Sequence, residues 1–274
     1  MKEPYVLGTD EDELDRLGIQ HRVWAEETSR VWRDSGVRNG STILDLGCGP
    51  GYTTFDLAQV VGASGKVVAA DQSDKFLNYI RNQIRARGVE NIDVHSVDAQ
   101  SLDDFESWKG KMDFVYTRWL LCWLPDPEIA IRAAFESLKP GGKFIIHDYF
   151  NWGAMTIAPR NSAVTELVQA AIKSFEDRQG DIDVAAQIPK WLEEVGFKNF
   201  EMKIHQKVAR GGGEDGTVDW ILTWWRTYGP KLVESKHLKA TVCEAALAEL
   251  KKLEVDKRVF FPCPPVYEFV ARKA

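Results

Sequence analysis

Short apolar runs alternate with amphipathic stretches along residues 42–147, and this alternation constrains the fold more than any other feature of the 274-residue chain. The runs have strand length and lie at residues 42–46, 66–70, 92–97, 112–117 and 143–147. Helical patterns lie between them at residues 52–61, 73–87 and 126–138, and Pro140-Gly141-Gly142 predicts a turn. Strands that alternate with helices at this spacing predict a parallel sheet with helices on both faces.

The flanking segments predict a helical N-terminus and a mixed C-terminal part. Helical patterns cover residues 10–34, 161–176, 185–195, 218–228 and 240–253, and strand patterns cover 200–208 and 266–271. We expect both late strands to join the sheet and the helices between them to form a cap. The predicted fold is α/β, with a Rossmann-like, doubly wound, mostly parallel sheet of seven strands. It divides into a helical lid (1–36), a Rossmann-like core (37–150) and a cap with the last strands (151–274).

The composition excludes several classes of protein. Apolar residues make up 44% of the chain, which is too many for a disordered protein, and four cysteines are too few for a disulfide-stapled scaffold. The net charge of −6 gives no basic footprint for a nucleic-acid partner. No apolar segment resembles a signal peptide or a membrane span, and the cysteines lack metal-binding spacing. We therefore expect a cytoplasmic protein with reduced thiols.

A glycine-rich loop joins the first predicted strand to its helix in Asp45-Leu46-Gly47-Cys48-Gly49-Pro50-Gly51. Glycines permit positive φ and close backbone approach, and the helix start offers free N–H groups to a ligand. Asp71 ends the second strand, where a carboxylate can accept hydrogen bonds from ribose hydroxyls. Asp98 follows the third strand, where an acid can accept from an adenine amino group. Acids at three successive strand ends predict a nucleoside-containing ligand.

These motifs carry a resemblance to a known family. The chain resembles class I S-adenosylmethionine-dependent methyltransferases of the small-molecule type, across about residues 40–150. The matching segments are Ile43 to Gly51, Val67 to Asp71, Asp98-Ala99, Phe114 to Leu121, Trp123 to Pro127 and Leu138 to Lys143. The segment Tyr5 to Gly8, together with Arg16, Leu17 and Gln20, is similar to the N-terminal cap of some members.

The resemblance implies S-adenosylmethionine as the cofactor, S-adenosylhomocysteine as the product and no metal. At the methionine end, it assigns backbone contacts to the loop and the amino group to Asp45. The loop residues are Gly47, Cys48, Gly49 and Gly51. It also implies that Arg118 and Trp119 line the floor and that Gln20 closes the carboxylate end.

At the adenosine end, the resemblance assigns the ribose hydroxyls to Asp71. It places Gln72 along the adenine, and it implies that Asp98 and the Ala99 N–H form hydrogen bonds with the adenine edge. Many relatives carry a hydrophobic or acidic residue in place of Gln72, so the chain departs from the family pattern on that side.

Methyl transfer from a sulfonium is an in-line displacement, which needs a general base only if the acceptor must lose a proton. The candidate bases are His147, Asp148 and Tyr149 after the fifth strand, with His21 a weaker one. We expect the cap to choose the acceptor. Its aromatic residues, such as Trp220 and Trp224 on one helix face, suit a planar, apolar or cationic small molecule.

Three alternatives remain open at this point. A nicotinamide-dependent oxidoreductase is disfavoured because the third glycine comes one residue early and no Tyr-x-x-x-Lys pair is present. A non-catalytic protein could keep the same cofactor site. A methyltransferase acting on tRNA or protein would need a basic face, for which the candidates are Lys198, Lys203, Lys207 and Arg210. A P-loop NTPase is excluded because its motif is absent. The oligomeric state and the methylated atom stay open.

Overall fold

The computed structural model describes residues 7–9, 11–214 and 216–274, and the chain divides into two compact units. We call the first the helical unit; it comprises the described residues of 1–25 together with 149–183 and 205–266. The second, the sheet unit, comprises residues 26–148, 184–204 and 267–274. The division into lid, core and cap at residues 36 and 150 stays a prediction.

A seven-stranded sheet organises the sheet unit, in the order β3-β2-β1-β4-β5-β9-β6. The strands are β1 (Thr42–Leu46), β2 (Lys66–Asp71), β3 (Ile92–Ser96), β4 (Met112–Arg118), β5 (Leu138–Tyr149), β6 (Asn199–His205) and β9 (Val266–Arg272). The first five pair in parallel. This confirms the predicted fold class, including the entry of both late strands into the sheet. The strand order reverses beside β1, where ligands bind in such folds.

The helices of the sheet unit are α2 (Ala25–Ser35), α3 (Tyr52–Val61), α4 (Asp74–Arg87), α5 (Pro127–Ser137) and α7 (Ile188–Val195). The helical unit contains α1 (Glu11–Val23), α6 (Ser162–Glu176), α8 (Thr217–Glu234) and α9 (Ala240–Leu253). It also contains a two-stranded antiparallel sheet of β7 (Val208–Arg210) and β8 (Phe260–Pro262). No helix in the described part of the chain is both long and apolar enough to span a bilayer.

Local signals explain where the helices of the sheet unit begin and end. Ser73 caps α4, because its hydroxyl accepts a hydrogen bond from the Phe76 N–H, and Gly88 ends that helix in the left-handed conformation. Pro127 occupies the first turn of α5, where its missing N–H costs nothing. The core beneath these helices is apolar; Ile43, Val67 and Ile145 are fully buried.

Several predicted boundaries were wrong at the N-terminus and in the last strands. The helix predicted over 10–34 breaks at Trp24 into α1 and α2, and its first residue lies outside the described chain, as do Tyr5 and Val6. The strand predicted over 200–208 ends at His205, and the chain enters β7 at Val208, in a small sheet that no pattern predicted.

Two further predictions were wrong because residues expected to form a turn, or to follow the end of a helix, lie inside a strand or a helix. The turn predicted at residues 140–142 belongs to β5, where the β4–β5 register shifts between Met112 and Phe114. Helix α8 continues past Tyr228 to Glu234 despite Pro230, and this extension buries Leu232. In both places tertiary contacts outweigh a local preference for a turn.

Candidate cofactor site

The glycine loop between β1 and α3 is left-handed at all three glycines, with φ of +73° at Gly47, +53° at Gly49 and +85° at Gly51. A Cβ at Gly51 would lie 2.7 Å from the Cγ1 atom of Ile80, so a side chain there would collide with α4. A Cβ at Gly49 would meet no atom within 4 Å. The loop therefore leaves an open cradle over the carboxyl end of β1, as a closely bound ligand requires.

Asp71 ties this loop to the end of β2. Its Oδ2 accepts a hydrogen bond from the Gly49 N–H at 2.9 Å, and its Oδ1 accepts one from the Ser73 N–H at 2.8 Å. Burial raises the pKa of Asp71, and these backbone donors oppose the rise. A carboxylate oxygen can accept more than one hydrogen bond, so Asp71 keeps capacity for ribose hydroxyls.

Asp45 lies under the loop and is 2% exposed. Its Oδ2 accepts hydrogen bonds from the hydroxyls of Thr53 (2.9 Å) and Thr54 (2.6 Å) in the first turn of α3. Burial raises its pKa to about 6, and both threonine bonds and the charge of Arg118 oppose the rise. Its Oδ1 makes no hydrogen bond with any residue that the structure describes. An ammonium group fits this spare oxygen, because a cation would stabilise the buried carboxylate.

Sequence reasoning missed both threonines. The sequence carried a signal for them, since Thr53 and Thr54 lie in the first turn of the helix, separated from the glycine loop only by Tyr52. Cys48, within the loop, is buried, and burial raises the pKa of its thiol well above the usual value. The thiol therefore stays protonated, and the backbone contact of Cys48 with a cofactor stays a prediction.

The turn after β4 contains the next pair of predicted site residues. Trp119 has a φ of +54°, which is unusual for a residue other than glycine, and its N–H donates to the carbonyl of His147 at 2.8 Å. The Arg118 guanidinium carbon lies 4.7 Å from the centroid of the Trp119 ring. Arg118 Nη1 donates to the Thr28 hydroxyl at 3.0 Å. Strained backbone of this kind gathers at functional sites.

Two of the predicted adenine-side residues follow β3. The Val97 N–H donates to the Asp71 carbonyl at 3.0 Å, which brings this segment to the end of β2. Asp98 is half-buried, and its Oδ1 accepts from the Gln100 N–H at 3.0 Å. Ala99 is buried, whereas Gln72 is exposed. Their contacts with an adenine stay predictions.

The candidate bases at the end of β5 are buried among protein partners. Asp148 is fully buried, and its Oδ2 accepts from the backbone N–H groups of Leu121 (2.9 Å) and Cys122 (3.4 Å). His147 Nδ1 lies 3.3 Å from the Tyr116 hydroxyl, and its Nε2 lies 3.2 Å from Glu268 Oε2. Tyr149 is also buried. Sequence reasoning gave no role to Tyr116, which lies in the matching segment Phe114 to Leu121, and it missed Glu268, which no motif marks.

Gln20 belongs to the helical unit, within a buried polar cluster on α1. Its Oε1 accepts hydrogen bonds from Arg16 (3.0 Å) and from the Trp220 indole (3.1 Å). Arg16 also forms a buried two-point ion pair with Glu13, with both bonds at 2.7 Å. The role of Gln20 at the cofactor carboxylate stays a prediction, and His21 beside it is half-buried.

A family model described as a methyltransferase domain matches residues 38–207, which is more than half of the chain. The chain belongs to the methyltransferase domain family. The match covers the glycine loop and all three strand-end acids. It confirms the resemblance to S-adenosylmethionine-dependent methyltransferases.

Curated relatives match about half of the chain. A demethylmenaquinone methyltransferase from Lactococcus lactis is 36% identical over 141 residues, which are 51% of this chain and 54% of the relative. The chain thus spans about half the length of the curated relatives that it matches.

Solved structures share the fold over nearly the whole chain. The YcgJ protein of Bacillus subtilis superposes with a TM-score of 0.61 at 15% identity, covering 91% of this chain and 99% of that chain. The Haemonchus contortus phosphoethanolamine N-methyltransferase 2 has a TM-score of 0.56 at 19% identity, covering 91% and 52%. At such low identity these likenesses establish the fold alone.

Proposed function

We propose that this protein transfers the methyl group of S-adenosylmethionine to a small, planar, apolar acceptor. One observation carries the proposal: a buried carboxylate, Asp45, keeps an oxygen without a partner among the described residues, next to an open glycine loop. The methionine part of the cofactor supplies the ammonium that such an oxygen requires. Family membership supports the same reaction class.

In this proposal each end of the cofactor has its own residues. Asp45 holds the ammonium, and the loop from Gly47 to Gly51 approaches the methionine chain. Asp71 accepts from the ribose hydroxyls. The other proposed contacts are Gln72, Asp98 and Ala99 at the adenine, and Arg118, Trp119 and Gln20 at the methionine end.

The bound cofactor supplies a methyl group on a sulfonium, which leaves by in-line displacement. The protein's task is to orient the acceptor and exclude water, and orientation contributes up to about 7–11 kcal/mol to such reactions. The side chains of His147 and Asp148 are both buried and hydrogen-bonded, His147 to Tyr116 and Asp148 to the backbone N–H of Leu121. This favours positioning roles for them, and we assign no general base.

The acceptor class rests on the relatives. The Lactococcus lactis relative is named for demethylmenaquinone, whose quinone ring is planar and apolar. We therefore propose a quinone-like or phenolic acceptor.

Two of the four residues considered as a basic face, Lys203 and Lys207, have partners within the fold. Lys203 Nζ lies 3.8 Å from a Glu268 oxygen, and Lys207 Nζ lies 5.3 Å from the ring centroid of Trp24. We accordingly propose a small-molecule partner rather than a nucleic acid. We also propose a cytoplasmic location, with which the four free, buried cysteines agree.

Calorimetry and a turnover assay test the proposal. We expect S-adenosylmethionine and S-adenosylhomocysteine to bind and NAD not to bind. Labelled methyl groups should then pass to a member of a panel of quinones and phenols, with alkylamines and bulk tRNA as comparisons. NAD binding without S-adenosylmethionine binding would overturn the reaction class. Transfer to tRNA or to an alkylamine alone would overturn the acceptor class.

A further inference from the structure

Arg118 ends β4 beside the proposed ammonium site, where it contacts Thr28 and Trp119. Its Nη1 donates to the hydroxyl of Thr28 at 3.0 Å, and its guanidinium lies over the Trp119 ring. From there its positive charge lowers the pKa of Asp45, against the effect of burial. A residue that fixes the position of the Arg118 guanidinium therefore also influences the ionisation of Asp45.

Thr28 lies on α2, is 1% exposed and begins a chain of buried hydrogen bonds. Its side chain also bonds to Tyr116, where it lowers the pKa of the phenol against the larger effect of burial. The Tyr116 hydroxyl lies 3.3 Å from His147 Nδ1, and His147 Nε2 lies 3.2 Å from Glu268. The chain crosses from α2 through β4 and β5 to β9 within the sheet unit.

The hydrogen bonds of this series can all point the same way, from Arg118 towards Glu268. Thr28 accepts from Arg118, so its own proton can go to the Tyr116 oxygen. When the Tyr116 hydroxyl donates to Nδ1 of His147, the hydrogen of the ring lies on Nε2 and donates to the Glu268 carboxylate. Bonds aligned in this way strengthen one another in a buried setting. Each member is thus held by its neighbours on both sides.

We propose that Thr28 is a positioning residue, which holds Arg118 where the guanidinium stabilises the ionised Asp45, with Tyr116, His147 and Glu268 as its support. This inference rests on the proposed function, because Asp45 matters here as the ammonium ligand. It gives α2 a role in cofactor binding that no motif of the chain predicts. It also makes His147 part of the support for the site rather than a base.

The test is the pH dependence of S-adenosylhomocysteine binding by Thr28→Val, which keeps the side-chain shape and removes the hydroxyl. The charged and titratable groups around Asp45 are Arg118, Asp71, Cys48 and Tyr116, beside the Thr53 and Thr54 hydroxyls. In the unsubstituted protein, binding should strengthen as pH rises through about 6. In Thr28→Val, we expect the pH midpoint of this change in binding to move up by about half a pH unit or more. Affinity at neutral pH should be about threefold to tenfold weaker.

Ser137→Ala is the matched control, because Ser137 is also fully buried and its hydroxyl bonds to the Ala133 carbonyl, within α5. It should lower the melting temperature without moving the midpoint. Tyr116→Phe, which breaks the chain one step further on, should move the midpoint in the same direction as Thr28→Val.

An unmoved midpoint in Thr28→Val would overturn the inference, and so would pH-independent binding by the unsubstituted protein. Absence of any binding by the unsubstituted protein would instead overturn the proposed function.

Discussion

At the scale of single residues, Asp45 connects stability with ligand binding. A carboxyl group whose folded pKa is about 6, above its ordinary 3.8, prefers to be protonated in the folded state. The free energy of unfolding should therefore fall as pH rises between these values, by about 3 kcal/mol in total. The folded protein tolerates this loss at neutral pH, and a bound ammonium would recover part of it.

The corresponding variant is Asp45→Asn, which keeps the shape and an acceptor for the threonine hydroxyls. We expect the ligand-free variant to lose this fall in stability with pH, and its affinity for S-adenosylhomocysteine to fall strongly. Urea unfolding at pH 4.5 and 7 and calorimetry measure the two effects. Unchanged affinity would show that Asp45 does not contact the ligand.

Asp71 permits a second test at the same scale. Asp71→Ala should weaken cofactor binding by about 1–3 kcal/mol, since ribose hydroxyls and loop N–H groups would lose their acceptor. Asp93→Ala is the control, because Asp93 lies on neighbouring β3 and pairs instead with Lys66 at 2.7 Å. Equal affinity of the two variants in calorimetry would place the ribose elsewhere.

At the scale of elements, the glycine loop couples the start of α3 to the packing of α4. Gly51→Ala would combine a left-handed backbone with a Cβ 2.7 Å from Ile80. Gly88→Ala carries the same kind of backbone, with a φ of +63°, but meets no atom within 4 Å. Comparing the two variants therefore separates the cost of the left-handed backbone from the cost of the collision with Ile80.

We expect Gly88→Ala to lower the free energy of unfolding by about 1–2 kcal/mol. Gly51→Ala should lower it by about 1–3 kcal/mol more, the usual cost of overpacking. Denaturant unfolding of both variants gives the difference. Equal losses would mean that α4 moves aside without cost.

At the scale of the whole molecule, a ligand that binds only the folded chain must raise its stability by mass action. S-adenosylhomocysteine at about one hundred times its dissociation constant should add about 2.7 kcal/mol. For a chain of this size, that corresponds to a rise of about 5–10 °C in melting temperature. NAD should produce no rise, and Asp71→Ala should need more ligand for the same rise. A thermal scan that shows the same rise with NAD would contradict the assigned ligand class.

The parts of the fold and of the site that could be predicted from the sequence are those whose signals lie within short segments. The strands β1 to β4 and the helices α3 and α4 were predictable because apolar periodicity and caps such as Ser73 act within a few residues. Asp45 and Asp71 were predictable as site residues because they end strands next to glycines. The break at Trp24 and the small sheet of β7 and β8 were not, since no local signal distinguishes them from continuous elements.

The sequence by itself determined the family, the parallel sheet and the identity of the strand-end acids, because these follow from patterns of neighbouring residues. Only the tertiary structure decided which residues support the acids of the site. Thr28 meets Arg118 across 90 residues, and His147 meets Glu268 across 121. Such pairs form because β4, β5 and β9 lie side by side and α2 contributes Thr28 beside them, and no local pattern records which distant side chains a fold brings together.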